Sequence, residues 1–292
     1  MSSHSQSPSL SPRELCDIAR TVATEAADHA RMRRRELFAP SGHRGEDSAV
    51  STKSTPTDPV TVADTETEQL IRRRLGALRP HDAILGEEEG GSDEVGAGIR
   101  WVVDPIDGTV NFLYGIPAYA VSVAAQVDGV SVAGAVVDVA RGLTYWAWAS
   151  GGAWCAGGDE EPRRLRANPI DEVGLALIAT GFGYSPDRRR AQGALLAALL
   201  PRVRDVRRMG AAALDLCMVA AGAVDAHFEH GLAPWDWAAG ALIAEEAGAR
   251  VLVPPADSSA ADGYPTIAVA PGIADELVAL LTELGGTAQL PN

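Results

Sequence analysis

Two carboxylates three residues apart, Asp104 and Asp107, close the apolar run in WVVDPIDGTVNF (101–112). Pro105 between them turns the chain sharply, and such a turn can aim both side chains and the Ile106 carbonyl at one point. Oxygen-only donors of this kind suit a hard cation. Mg²⁺ in particular keeps waters and takes one or two carboxylates together with a substrate phosphate. Three more acidic stretches stand at element ends: Asp58 to Asp64, Glu87 to Glu89, and Asp236. Glu87, closing a neighbouring strand, can add another oxygen. Asp236 falls in the first turn of a helix, where a negative side chain is favoured. Gly108 and Thr109 stand where a helix should begin; Gly108 lets a phosphate approach the backbone, and exposed N–H groups there can hold it.

Any one of these acids alone reads as a cap or a turn residue. Four groups, each ending a different element, are harder to explain that way. Gathered in space without a cation they would repel one another by several kcal/mol.

The elements that must bring them together follow from periodicity. Ser11-Pro12-Arg13-Glu14 is a capping box with Pro at the first helical position. Leu15, Ile18, Val22 and Ala26 then recur at helical spacing, up to the basic cluster Arg31 to Arg35, which suits a helix C-terminus. Residues 39–57 read as a mobile loop, and a second helix runs over 64–78. AILGEE and RWVVD are short strands. From Ala118 to about Leu165 the pattern is a meander, with Asp128-Gly129 and Arg141-Gly142 as hairpin turns. Trp146, Trp148 and Trp154 in that meander read as packing rather than as a stacking platform. After residue 166 strands and helices alternate: LALIAT, helix 187–200, DVRRM, helix 211–225, AHFE, helix 234–248, RVLV, TIAVA and helix 274–284. The expected class is α/β, an α+β first half and an α/β second half in layers. The expected organisation is a disordered tail over 1–11, a unit over 12–165 and a unit over 166–292.

With 292 residues, 46% of them hydrophobic, the chain can build a sizeable core. Its net charge of −14 disfavours nucleic acid and anionic membrane surfaces as partners. Three widely spaced cysteines, Cys16, Cys155 and Cys217, make neither a disulfide framework nor a zinc site. No apolar leader or run of spanning length occurs, so a cytoplasmic protein is expected.

The motifs KSTPTDPVTVAD (53–64), GEE (86–88), WVVDPIDGTVNF (101–112), MGAAALDLCMVAAGAVDAHFE (209–229) and PWDWAAGALIAEEAGA (234–249) together resemble the inositol monophosphatase family. The resemblance implies a layered αβαβα sugar-phosphatase fold, a homodimer, and a phosphomonoesterase using two or three Mg²⁺ ions. By that resemblance Glu87, Asp104 and the Ile106 carbonyl hold one ion, and Asp107 and Asp236 a second, with Asp104 bridging. Gly108 and Thr109 receive the phosphate. Asp64 pairs with Thr109, and Thr109 with Glu87 activates the attacking water. Glu229 takes substrate hydroxyls, Gly210 to Ala212 line the sugar pocket, and Lys53 and Asp58 sit in a loop that contributes to a third ion. Asp107 and Asp236 also face the substrate. Two ions about 4 Å apart would lower the pKa of water and steady the leaving alkoxide in an in-line displacement.

His227 and His230, flanking Glu229, read as structural or edge-of-pocket residues. Ala211 departs from the family, where Ser or Thr is frequent, and residues 181–190 bear on specificity. Inositol 1-phosphate is the leading substrate. Histidinol phosphate or a nucleotide 3′-phosphate is the runner-up, and a non-catalytic regulatory binding protein on the same fold is the alternative from another class.

Overall fold

The computed structural model describes residues 10–38, 50–52, 59–91 and 98–292. The chain runs α1 (Pro12–Leu37), β1 (Val50–Thr52), β2 (Pro59–Thr61), α2 (Val62–Leu78), β3 (Ala83–Gly86), β4 (Ile99–Asp107) and α3 (Thr109–Tyr114). A meander follows: β5 (Ala120–Val127), β6 (Val130–Asp138), β7 (Leu143–Trp148), β8 (Gly152–Gly157) and β9 (Arg163–Arg164). The remainder is β10 (Leu177–Thr180), α4 (Pro186–Leu199), β11 (Asp205–Arg207), α5 (Ala212–Ala220), β12 (Ala226–His230), α6 (Pro234–Glu246), β13 (Arg250–Leu252), β14 (Pro265–Val269) and α7 (Ala274–Glu283).

Two large sheets carry the fold. One has seven strands in sequence order β3 to β9; only β3–β4 is parallel. The other has five strands in the order β11-β10-β12-β14-β13, parallel around β10 and antiparallel around β14. Three apolar cores separate five layers. Leu15, Val22, Ala26, Ile71 and Leu75 of α1 and α2 pack on Trp101, Val103, Val121 and Val123 of the seven-stranded sheet. Leu214, Leu216, Ala238, Ala239, Leu242 and Ile243 of α5 and α6 fill the space between the sheets. Leu195 and Leu199 of α4 and Leu277 and Leu281 of α7 cover Ile178, Phe228 and Ile267 on the far face. This is the expected αβαβα layering, and it follows from sheets whose two faces both need apolar cover.

Local chemistry sets the element ends. Ser11 caps α1 in the expected box with Glu14. The β5–β6 turn has positive φ at both Asp128 and Gly129, the geometry a tight hairpin needs. Three expectations shift. The helix expected over 64–78 begins at Val62, because Thr61 and Asp64 form their own capping box. The helix expected over 211–225 stops at Ala220, and residues 221–225 turn into β12. The meander gains β8 and β9. Trp146, Trp148 and Trp154 pack toward α1, where Arg20 and Arg13 lie over the first two rings. Of the basic cluster, Arg33 pairs with Glu66, and Arg34 donates to the Phe112 carbonyl at 2.9 Å, tying α1 to α3. All three cysteines are buried and free. Among the described residues no helix is long and apolar enough to cross a membrane.

Candidate active site

β4 runs buried through the core and keeps its strand character to Asp107, but its pairing with β5 slips between Asp104 and Asp107. The slip breaks the alternation that would send residues 104 and 107 to opposite faces. Asp104 folds back to accept the Ile106 N–H at 2.9 Å. Asp107 accepts the Ala212 and Ala213 N–H groups at the start of α5, at 3.2 and 2.8 Å. Asp236, in the first turn of α6, accepts the Ala233 N–H at 2.7 Å. Ser122, opposite Asp104 in the ladder, donates to the Trp235 carbonyl at 3.2 Å and ties that turn to β5.

The result is convergence. Asp104, Asp107 and Asp236, from two distant parts of the chain, each place a carboxylate oxygen within 4.8 Å of the others'. Glu87, just past the end of β3, hydrogen-bonds the Asp104 carboxyl. Two charged carboxylates at such spacing repel by about 3 kcal/mol at an effective dielectric near 20. Burial, then Glu87, Asp107 and Asp236, push Asp104 well above the usual carboxylate range. Burial and the charges of Glu87 and Asp107 do the same to Asp236. Asp107 rises to about 7, chiefly by burial, with the Ala213 and Ala212 N–H groups opposing.

One side of this cluster is formed by Gly108 and Thr109. Gly108 is left-handed at φ 89, and a Cβ there would meet the Ala118 carbonyl at 2.9 Å, so the turn into α3 requires glycine. Thr109 Oγ1 lies 2.9 Å from Asp64 Oδ1 and 3.1 Å from the Ile106 carbonyl. Asp64 also accepts the Thr61 N–H at 2.9 Å and the Thr61 hydroxyl. Its burial raises it to about 6.

A second side comes from the second half of the chain. Asn111 in α3 donates to the Ala118 and Met209 carbonyls at 2.7 and 2.8 Å, bringing Gly210 against Gly108. Glu229 on β12 is half-buried and pushed by that burial to about 7, with Arg208 opposing. Gly181 lies directly against its carboxylate; a Cβ there would sit 2.0 Å from Oε2. Behind it, His227 is fully buried 3.8 Å from Asp215, and neither side chain has a hydrogen-bond partner among the described residues. Ala211 is buried and its carbonyl accepts the Asp215 N–H at 3.0 Å.

The structure thus gathers Glu87, Asp104, Ile106, Asp107, Asp236, Gly108, Thr109 and Asp64, with Gly210 against Gly108, the Ala212 N–H on Asp107 and the Glu229 charge acting on Asp236. Lys53 and Asp58 lie outside the described residues. Sequence reasoning missed Glu68, Arg208 and Asp215. Glu68 carried a signal: it stands four residues after Asp64, on the helix face shared with Ile71 and Leu75. Arg208 and Asp215 carried none that separates them from surface and core residues.

Comparison with known proteins gives a consistent answer. The model of the inositol monophosphatase family matches residues 12–287. A Mycobacterium tuberculosis protein called inositol-1-monophosphatase SuhB is 54% identical over 290 residues, covering 98% of this chain and 99% of that one. A Pasteurella multocida protein called Nus factor SuhB is 36% identical over 242 residues, 81% of this chain and 87% of that one. The solved structure of Mycobacterium tuberculosis SuhB superposes with a TM-score of 0.81 at 50% identity, over 96% of this chain and all of that one.

Proposed function

Because the chain belongs to the inositol monophosphatase family, and is by that membership a phosphoric monoester hydrolase, we propose that it hydrolyses a small polyol phosphate, inositol 1-phosphate foremost, with Mg²⁺ held by its acidic cluster. The observation that carries this reading is the meeting of Asp104, Asp107 and Asp236 oxygens within 4.8 Å. The donor set fits the ion: among the described residues the three grouped donors are all carboxylates. Burial and mutual repulsion hold these acids toward their protonated forms, and a divalent cation removes that penalty.

Glu87, Asp104 and the Ile106 carbonyl would hold one ion and Asp107 and Asp236 a second, with Asp104 shared. When bound, such ions neutralise phosphate charge and lower the pKa of water. The chain's own groups do the rest. Thr109, anchored on Asp64, orients the attacking water together with Glu87. Backbone N–H groups at Gly108 and Thr109 receive the phosphate. Gly210 and Ala212 line the pocket for the leaving alcohol, and ionised Glu229 accepts hydrogen bonds from its hydroxyls, which favours a polyol.

A second reading, a non-catalytic regulatory protein on this fold, draws support from the relative called a Nus factor. Phosphate release decides between them. Inositol 1-phosphate, histidinol phosphate and a nucleotide 3′-phosphate are each assayed with and without Mg²⁺, on the wild type and on Asp104→Asn. The expected result is Mg²⁺-dependent release, fastest from inositol 1-phosphate and abolished in the variant. No release from any ester decides for the regulatory protein.

A further inference from the structure

One acid outside the cluster has geometry that its helix alone does not require. Glu68 sits in the middle of α2 with no solvent exposure. Its carboxylate leaves the helix and grips the turn after β3: Oε2 accepts the Glu88 N–H at 2.7 Å, and Oε1 accepts the Glu89 N–H at 3.0 Å. Arg72, one turn further along α2, donates to Glu68 Oε1 at 2.8 Å and to the Gly90 carbonyl. The turn closes on itself through Gly86 N–H to the Gly90 carbonyl at 3.0 Å. Gly86 leaves room for the contact; a Cβ there would lie 2.4 Å from Glu68 Oε1.

Glu87 stands inside that turn, between the glycine that Glu68 abuts and the two amides that Glu68 holds. Asp64, four residues earlier on the same buried face of α2, holds Thr109. Four residues of helix span about 6 Å. One rigid helix therefore grips both partners of the attacking water, through two carboxylates a fixed distance apart. Its buried face is locked in place by Ile71 and Leu75 in the core and by Thr67, whose hydroxyl lies 3.2 Å from His29 Nδ1 on α1.

We propose that Glu68 is a positioning residue for the metal site: by clamping the 88–89 amides it fixes Glu87 against Asp104, and with Asp64 it sets the spacing between Glu87 and Thr109. The proposal rests on the metal-dependent reading above. It predicts a loss of metal affinity rather than of substrate affinity, because Glu68 touches neither the phosphate side nor the Glu229 side.

The probe is Mn²⁺, followed by electron paramagnetic resonance of free ion in titrations of the full chain, a readout that needs no turnover. Glu68→Ala is expected to raise the dissociation constant of the tighter Mn²⁺ by about tenfold or more, the size usual for groups that orient metal ligands. Glu68→Gln, which keeps one acceptor oxygen, is expected to lie between it and wild type. Gly86→Ala is expected to act in the same direction by displacing the Glu68 carboxylate. The Mg²⁺ concentration for half-maximal phosphate release should rise in parallel, while KM for the ester at saturating Mg²⁺ stays within about twofold. A natively folded Glu68→Ala chain with unchanged Mn²⁺ affinity overturns the proposal. If that chain does not fold, unchanged affinity in both Glu68→Gln and Gly86→Ala overturns it. Wild type that binds no Mn²⁺ removes the metal reading and this proposal together. Wild type that binds Mn²⁺ but releases no phosphate removes only the phosphatase reading, and the Glu68 comparison still decides.

Discussion

The two sides of the site are built differently. On the side of residues 101–112 nearly every polar atom is braced: Asp107 by the Ala212 and Ala213 amides, Asp64 by Thr61, Thr109 by Asp64, and Asp104 by the Ile106 N–H. On the side of residues 209–230 the polar groups are looser. Arg208 is exposed, and the Asp215 and His227 side chains are buried with no hydrogen-bond partner among the described residues. A side that must hold ions at fixed spacing needs rigid carboxylates, because misplacement by an ångström is costly in rate. A side that reads the alcohol of the ester needs shape and a few acceptors, and it tolerates variation. The contrast teaches where to look for chemistry in this fold and where to look for specificity.

The largest effect should come from breaking the braced side. Asp236→Asn keeps shape but removes one charge from the cluster. We expect kcat to fall by about a hundredfold or more, with phosphate release measured at saturating Mg²⁺. Unchanged turnover would mean that Asp236 caps α6 and nothing else.

Legibility follows the same contrast. Asp104, Ile106, Asp107, Gly108 and Thr109 are contiguous, so a short motif announces them and the slip in the ladder only confirms that they can face one way. α1 was readable because its capping box is local. What could not be read depends on distance. Asp107 meets α5 through amides 105 and 106 residues away in sequence. Glu68 meets a turn 20 residues on, and no periodicity reports that. The end of α5 was missed because the run AAGAVD is as small and apolar as the helix before it; Gly222, at φ 67, breaks the pattern. β8 was missed because six residues bounded by glycines give too short an alternation to separate from a loop.

A smaller effect should sharpen the looser side. Glu229 is raised to about 7 by burial, so it gains its charge only as pH rises through that value. Its usefulness as an acceptor for substrate hydroxyls grows in the same direction. In wild type, kcat/KM for inositol 1-phosphate should therefore climb with pH up to about 7 and flatten above it. The phosphate ester titrates nearby, so Glu229→Gln is the control. That variant should raise KM by about tenfold above pH 7, equivalent to about 1.4 kcal/mol, and should lose the part of the climb that belongs to the enzyme. An identical profile in both would place Glu229 outside the substrate site.

The smallest effect concerns the unpaired groups behind Glu229. Burial pushes Asp215 well above its ordinary range, assisted by Glu229 and Asp107, and pushes His227 down to about 3. Both directions favour a neutral pair near pH 7. A neutral pair 3.8 Å apart with no hydrogen bond contributes little, yet each member alone carries the cost of burial. His227→Phe removes one of these burial costs and should hold stability within about 1 kcal/mol of wild type, read from the denaturation midpoint. Asp215→Leu combined with His227→Phe removes both polar groups and should likewise stay within about 1 kcal/mol. Single variants that each lose more than about 1 kcal/mol, with a double variant that loses less than their sum, would show that the two side chains hold each other, and the looser side would then be braced after all.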